Sequence, residues 1–433
     1  VSYTIIMRRT TITIMMTRMA LLLALLSIQE VSSFSSSALI GRKIHFATIT
    51  SLSSSSSDDD DWRAFRNKLI KTGISTSHEE LKEKIKKEET QRPKSVAKGN
   101  EQVLEKQNKE LAREYKAGVW AHRTFNPELG GLLIRSPMEM EMYNRMYSKS
   151  SSLTDLLKQR LQERGYKEIE EDDLYQPSPE EMKKKVMLWY DAALDVVQDQ
   201  MASIQQMSKE EREKHSKSKT SPLRELLEMY VEQQQQWQHV CLIVEREHDS
   251  CTTVTINRPV FTTAMEEVAS MVMLGPEREN NMLTCKKDHT EQERKVLGRF
   301  VEAFDFSCSV YLGGPHKQLE PAMMIHGIRD LEGCTEVVPG IYRGGLDAAI
   351  EGILEGKYDP LEFRFFLGRT EYKEKLFESL LADKQWIPIA CARSLALKQC
   401  LGLPKPLWHE VLELCGGELE CVSNLKMNTR ISR

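Results

Sequence analysis

The sequence predicts an α+β fold interrupted by an inserted helical segment, and three observations predict it. Short β-branched runs gather in the second half of the chain, at 240–244 and 252–256. Helix starts that carry their own caps gather in the middle, at Ser178-Pro179-Glu180-Glu181 and Ser221-Pro222. After residue 240, strand-like and helix-like stretches follow in irregular order, which argues against the regular alternation of a doubly wound sheet. The 433 residues are 29% charged and 40% hydrophobic, fractions that exclude collagen-like, wholly disordered and polytopic membrane chains.

In chain order, residues 1–57 hold five bases (Arg8, Arg9, Arg18, Arg42, Lys43) against one acid (Glu30), a local +4 in a chain of formal net charge -4. The remainder therefore carries -8, and an acidic body repels a phosphate backbone, so no specific duplex DNA binding is expected. The apolar run 19–26 is shorter than the ~20 residues of a membrane span and is followed by small polar residues. It has the build of a cleavable signal, and no membrane association of the mature form is expected. Ser33-Phe34 then opens a stretch to Ser57 rich in Ser and Thr, without acids. A signal followed by an aromatic-started transit peptide resembles the two-part presequence of algae with complex plastids. The expected location is the plastid (chloroplast), with the cut before Phe34.

Residues 58–118 read as a charged helical or linker region. The acids at 58–61 can cap a helix with Trp62, Phe65, Leu69 and Ile70 on one face. Residues 75–118 are mostly Lys, Glu, Gln and Arg, which predicts a solvated helix or a flexible linker. The main domain is expected over 119–418, with the helical insertion at about 146–236 and a tail at 419–433. Within it, 130–134 reads as a short buried strand, and Met138, Met140, Met142 and Met146 as an apolar cluster packed against the inserted helices. The helix from Ser178 buries Met182, Val186, Trp189, Ala193 and Val197, and the one from Ser221 buries Leu223, Leu226, Leu227 and Tyr230. Between them, 208–220 is charged enough to predict a solvated loop.

The runs 240–244 and 252–256 predict a hairpin. Thr263, with Glu266 three residues on, predicts a capped helix. Further strands are expected at 306–312, 322–325 and 363–367, and helices at 346–355, 371–383 and 404–415. In the middle one, Tyr372, Leu376, Leu380 and Leu381 form the expected buried stripe.

Several stretches resemble, in order, the AlgH (YqgE-like) family of uncharacterised proteins. They are Gly131-Leu132-Leu133-Ile134-Arg135-Ser136-Pro137, the segment from His239 to Glu245, and Val254-Thr255-Ile256-Asn257-Arg258-Pro259. Val310-Tyr311-Leu312-Gly313-Gly314-Pro315, Met324-Ile325-His326, Val338-Pro339-Gly340-Ile341-Tyr342 and Phe363-Arg364-Phe365-Phe366-Leu367-Gly368 follow, with Trp386 and Leu407-Trp408 near the end. Asp61-Trp62-Arg63-Ala64-Phe65-Arg66 and Trp120-Ala121-His122 resemble the plastid branch. The chain departs from the family at Gly368-Arg369-Thr370-Glu371-Tyr372, where members usually read G-Y-A-G-W, and 146–236 has no counterpart in bacterial members. The resemblance implies an α+β domain with a strongly bent, partly barrel-like mixed sheet and flanking helices. It implies no established activity, and the family label is that of a transcriptional regulator.

Among candidate site residues, Asn257 and Arg258 end a strand, where Asn can bond a turn and Arg can pair with a carboxylate. Gly313 and Gly314 end another, permitting a tight turn or an anion cradle. His326, after three apolar residues, has the titration range of a general base. Gly340, Gly344 and Gly345 flank a helix start that could hold an anion. All nine cysteines lie between Cys241 and Cys421 without C-x-x-C spacing, so they are expected reduced and mostly buried, and neither metal nor cofactor is expected. No G-x-S-x-G or H-E-x-x-H pattern occurs. The leading expectation is a non-enzymatic binding or regulatory module whose ligand is a protein partner or a small anion. One alternative is an enzyme with a cleft around Arg258 and His326, and another is the transcriptional regulator of the family label.

Overall fold

A computed structural model describes residues 94–166, 177–218, 220–279, 282–286 and 288–431; the expected presequence (1–57) and the expected Trp62 helix lie outside the described residues. Among the described residues two helices come first, α1 (Lys94–Gln107) and α2 (Lys109–Gly118), joined at Asn108. The Asn108 side chain accepts a hydrogen bond from Leu111 N at 3.0 Å, capping the second helix. Of the expected solvated helix or flexible linker over 75–118, the described part is helical, but not solvated on every side. Leu104, Leu111, Ala112 and Tyr115 fall on inner faces and are buried, so a few apolar positions anchor a largely charged segment.

β1 (Ala121–Arg123) and β2 (Leu132–Arg135) precede the helical run α3 (Met138–Ser148), α4 (Ser152–Glu163), α5 (Pro179–Gln206), α6 (Lys209–Lys217) and α7 (Pro222–Gln235). The methionines at 138, 140, 142 and 146 are all buried together with Glu139, Glu141 and Arg145, so α3 is packed on every side. At the start of α5, Ser178 Oγ accepts from Glu181 N at 3.3 Å and Glu181 Oε2 accepts from Ser178 N at 2.8 Å. Val186, Trp189, Ala193 and Val197 are buried on its inner face. The expected loop 208–220 instead contains α6, because Ser208 and Glu211 form the same reciprocal cap and start a helix that buries little. These helices do not stand apart. Gln233 Nε2 donates to Ser136 O at 2.7 Å, Lys185 pairs with Glu418 at 3.0 Å, and Tyr143 stacks on Trp189 with ring centroids 5.0 Å apart.

The second half continues with β3 (Val240–Arg246), β4 (Ser250–Thr255), β5 (Pro259–Phe261), α8 (Glu266–Leu274), β6 (Glu277–Glu279), β7 (Met282–Thr284) and α9 (Glu291–Phe304). Then come β8 (Val310–Leu312), β9 (Met323–His326), β10 (Cys334–Val338), β11 (Ile341–Gly344), α10 (Leu346–Leu354) and β12 (Arg364–Leu367). The last elements are β13 (Thr370–Lys373), α11 (Glu374–Ala382), β14 (Trp386–Cys391), α12 (Arg393–Ala396), α13 (Leu407–Cys415) and α14 (Gly417–Ile431). β3 and β4 form the expected hairpin, with Leu242 opposite Val254. Two expectations are corrected. Thr263 is not the cap of α8: Ala264 N donates to Asp305 O at 2.6 Å, which holds this stretch against the end of α9, and Met265 takes the cap position without a side-chain bond. The expected helix 371–383 begins only at Glu374, because Tyr372 sits in β13 opposite Cys251 and stacks on Phe377 from there.

Two six-stranded sheets result, ordered β1-β14-β2-β3-β4-β13 and β10-β11-β9-β12-β8-β5. Neither closes into a barrel. Among the described residues only β12 and β8 run parallel; every other pairing within the two sheets is antiparallel. The mixed order of helices and strands makes the fold α+β. The chain passes from the second sheet to the first at Gly368, where its backbone crosses that of Gly313 and Gly314. α8, α9 and α10 bury Val268, Leu297, Phe300 and Ile350 against Val310, Phe363 and Phe365 of the second sheet region. α11 covers the first, where Phe377 joins Leu133, Ile243, Tyr372 and Trp386.

Candidate functional site

The candidate residues of the sheets are occupied by the fold itself. Asn257 Oδ1 accepts from Val240 N at 3.0 Å and its Nδ2 donates to Gln238 O at 2.8 Å, which clasps the open end of the β3–β4 hairpin. Arg258 donates to Asn257 O at 3.1 Å and to Trp237 O. It also adds to the electrostatic pressure on His239, whose imidazole is pushed down to about 3, mainly by burial.

Gly313 and Gly314 serve a close crossing of backbones. A Cβ at Gly313 would stand 2.2 Å from Gly368 O, and one at Gly314 would stand 2.4 Å from the Arg369 carbonyl carbon. Gly313 N donates to Leu367 O and Gly313 O accepts from Thr255 N, both at 2.8 Å, so the peptide is bonded on both sides.

His326 is fully buried. Its Nδ1 accepts from Ile328 N at 3.2 Å, which leaves the proton on Nε2 to be donated to Gly344 O at 3.1 Å. Burial pushes its pKa down to about 4. Strand direction separates it from the glycines. β9 runs antiparallel to β12, which runs parallel to β8, with Val310 aligned to Phe365 and Phe365 to Met324. Gly313 therefore follows one end of the sheet and His326 lies at the other. The Arg258, Gly313 and Gly314 backbones come together, since Leu312 N donates to Arg258 O at 3.0 Å, but His326 does not join them. Gly345 opens α10 at φ +78, and Gly344 O is the acceptor for His326.

Two clusters of buried charge escaped the sequence reading. In one, Glu410 of α13 accepts from Lys398 Nζ at 2.6 Å, from Asn100 Nδ2 at 2.7 Å and from Tyr115 Oη. Lys398 Nζ lies 4.0 Å from the centroid of the Tyr115 ring, and Lys398 and Glu410 are both wholly buried. Burial lowers the Lys398 pKa against the pull of Glu410, and raises that of Tyr115.

In the other, Glu141 of α3 holds Arg135 at 3.0 Å and Arg145 at 2.5 Å, and Gln233 Nε2 donates to it at 3.1 Å. Arg135 Nη1 also donates to Gln385 O at 2.8 Å. Buried Arg135 Nε, Arg135 Nη2 and Arg145 Nε find no hydrogen-bond acceptor. The i,i+4 pair Glu141 and Arg145 amid methionines was the available signal.

Beside Arg145 opens a cleft of about 390 Å³. Arg145, Lys149 and Ser150 to Ser152 line it from the α3–α4 side, and Arg224, Glu225, Glu228, Met229 and Glu232 from α7. Ser151 Oγ donates to Glu225 at 3.0 Å while capping α4, and Arg224 Nε donates to Glu228 at 2.7 Å. Burial, and Glu141 nearby, raise the Glu232 pKa. The cleft can seat a polar molecule of modest size, with Arg145, Lys149 and Arg224 among its lining residues. Among the described residues, no group of three His, Cys, Asp or Glu side chains is placed to hold a metal, and no helix is long and apolar enough to cross a membrane.

Residues 226–420 match the model of the AlgH-like family. No curated protein gives a significant match. Among solved structures, a crystal structure of a Corynebacterium diphtheriae protein is 16% identical, covering 43% of this chain and 82% of that one at a TM-score of 0.29. The solution structure of the AlgH protein from Pseudomonas aeruginosa is also 16% identical, covering 39% and 74% at a TM-score of 0.26. The match to the AlgH-like family thus extends over residues 226–420.

Proposed function

We propose that the chain is a non-enzymatic binding module and that its ligand is a small polar anion seated in the cleft between α3, α4 and α7. The observation that carries this reading is the presence in the lining of that cleft of Arg145, whose buried Nε has no acceptor. A carboxylate or phosphate would supply one, and charge-assisted hydrogen bonds of this kind are the strong ones. A volume of about 390 Å³ is in the range of small-molecule sites. Glu225, Glu228 and Glu232 on the facing helix disfavour a polyanion, which speaks for a small ligand and against a nucleic acid. Asn257, Arg258, Gly313, Gly314 and His326 have structural partners, and the separation of Arg258 from the His326 end of the sheet speaks against the enzyme alternative.

Calorimetric titration with inorganic phosphate and with small dicarboxylates tests the proposal. Saturable binding is expected, weakened about 10-fold or more in Arg145→Met, the loss of one charge-assisted bond. Absence of saturation with every anion, or equal affinity in the variant, overturns it. We propose the plastid as the place of action, on the strength of Arg8, Arg9, the run 19–26 and the Ser33-Phe34 junction. A fluorescent fusion of residues 1–61 should enter that organelle, and Phe34→Ala should stall it in the secretory system. Cytosolic fluorescence of the unmutated fusion contradicts the address.

A further inference from the structure

The cleft of about 390 Å³ has walls of opposite charge. Arg145 and Lys149 stand four residues apart on one side, in the last turn of α3 and at its C-terminal cap. Glu225, Glu228 and Glu232, spaced three and four apart, share one face of α7 on the other side and extend over about 10 Å of it. Two hydrogen bonds set the direction of the walls. Ser151 Oγ donates to Glu225 at 3.0 Å just past the end of α3, and Gln233 Nε2 donates to Glu141 at 3.1 Å near its start. The two helices therefore run in opposite directions, which puts the Lys149 backbone toward the Glu225 end of the cleft and that of Arg145 further toward Glu232.

Most of these charges are engaged within the fold. Arg145 pairs with Glu141, Arg224 Nε donates to Glu228 at 2.7 Å, and Glu225 has the Ser151 hydroxyl. One charge of each sign is left over. Among the described residues, Lys149 has no side-chain partner, and the carboxylate of Glu232 accepts no hydrogen bond, its nearest cationic nitrogen being Arg135 Nη2 at 3.9 Å. Burial, and then Glu141, raise the Glu232 pKa despite Arg135 and Arg145, so its charge is under-compensated. Lys149 and Glu232 line the same cleft without forming an ion pair with each other.

Building on the anion reading of this cleft, we infer that its ligand is a small zwitterion of the amino-acid class, whose carboxylate meets Arg145 and Lys149 and whose ammonium meets Glu232. A zwitterion brings one charge of each sign, which is what the two uncommitted side chains require. An anion alone would satisfy the cationic wall and add repulsion at Glu232; a cation alone would do the reverse. Hydrogen bonds between ammonium and carboxylate are charge-assisted, and two of opposite polarity fix one orientation of the ligand between the walls. Phosphate lacks the second charge, and a cleft of this volume is ample for a free amino acid.

Calorimetric titration of the full chain with glutamate and with glutarate is the test, because the two differ only in the ammonium group. Glutamate should bind about 10-fold tighter, the worth of one charge-assisted hydrogen bond. Glutarate carries one more net negative charge, and repulsion from an acidic protein would also disfavour it, so Glu232→Gln supplies a second readout. In that variant the preference for glutamate should vanish, whereas general repulsion would leave it standing. Equal or tighter binding of glutarate by the wild type overturns the zwitterion and leaves the anion reading in place, as does a preference that survives in Glu232→Gln. Saturation by neither ligand overturns both.

Discussion

The two buried charge clusters use the same chemistry and finish it differently. Around Glu410, a lysine, an asparagine and a tyrosine donate to one carboxylate, and no side-chain polar atom of these four groups is left without a partner. Around Glu141, two arginines share one carboxylate and three of their nitrogens remain without an acceptor. A closed cluster fixes a fold: Glu410 ties α1 and α2 to the family region. An open cluster leaves donors for something else, and the cleft described above adjoins it. Burial alone therefore does not mark a site; unmet hydrogen-bonding capacity beside a space does.

The largest effect should come from breaking the closed cluster. Glu410→Gln leaves Lys398 buried without a counter-charge, for an expected loss of about 3–5 kcal/mol. Chemical denaturation should show it, and hydrogen exchange should show α1 and α2 losing protection, since Asn100 and Tyr115 share the acceptor. Pairing the change with Lys398→Met should recover much of the loss, because the penalty belongs to the orphaned charge. A loss below about 1 kcal/mol would erase the distinction between the two clusters.

A smaller effect sharpens the comparison by adding a third answer to burial, which is to shed the charge. His326 is neutral in the fold, its pKa held down at about 4 by burial. Unfolded, a histidine titrates near 6.5, so between these values the unfolded chain binds a proton that the native one refuses. This contribution is fully present above about pH 6.5 and is lost as pH falls toward 4, at about 1.4 kcal/mol per unit for this histidine. His239, also held low, adds in the same direction. Denaturation at pH 7 and pH 5 should give a shallower dependence in His326→Gln, which keeps a donor for Gly344 O. An unchanged slope would mean that folding does not depress the His326 pKa.

Much of the fold was legible because its signals are local. The Ser178 and Glu181 cap, the hairpin from Val240 and the buried face of α5 are each written within a few residues. Errors arose where two local readings competed. Tyr372, Leu376, Leu380 and Leu381 are spaced as a helix stripe, yet pairing with Cys251 draws Tyr372 into a strand and leaves Leu376 exposed. The charged composition of 75–118 hid Leu104 and Tyr115, and the partners of Tyr115 lie near residue 400. Glu410 was illegible for the same reason: its donor Asn100 is 310 positions away. Asn257 and Gly313 were recognisable as turn residues, but whether their bonding capacity was free for a ligand could only be decided by the partners that folding brings.

The smallest effect is expected at Arg258, where the sequence pointed to a ligand contact and the fold provides other partners. Its guanidinium donates to two backbone carbonyls, Asn257 O and Trp237 O, and the residue is only half-buried. Neither of these two acceptors is a carboxylate, and water can replace the lost donors at this partly exposed place. The expected cost is about 1 kcal/mol or less. Asn257→Ala should cost more, because it removes both the acceptor for Val240 N and the donor to Gln238 O and leaves the hairpin unclasped. Two readouts separate the roles: Tm reports the clasp, and anion titration reports the cleft. Arg258→Met should bind phosphate or dicarboxylate as the wild type does, whereas Arg145→Met should not. If Arg258→Met loses binding while its Tm holds, the ligand sits at the sheet crossing, and the open cluster at Glu141 is only an unfinished piece of core.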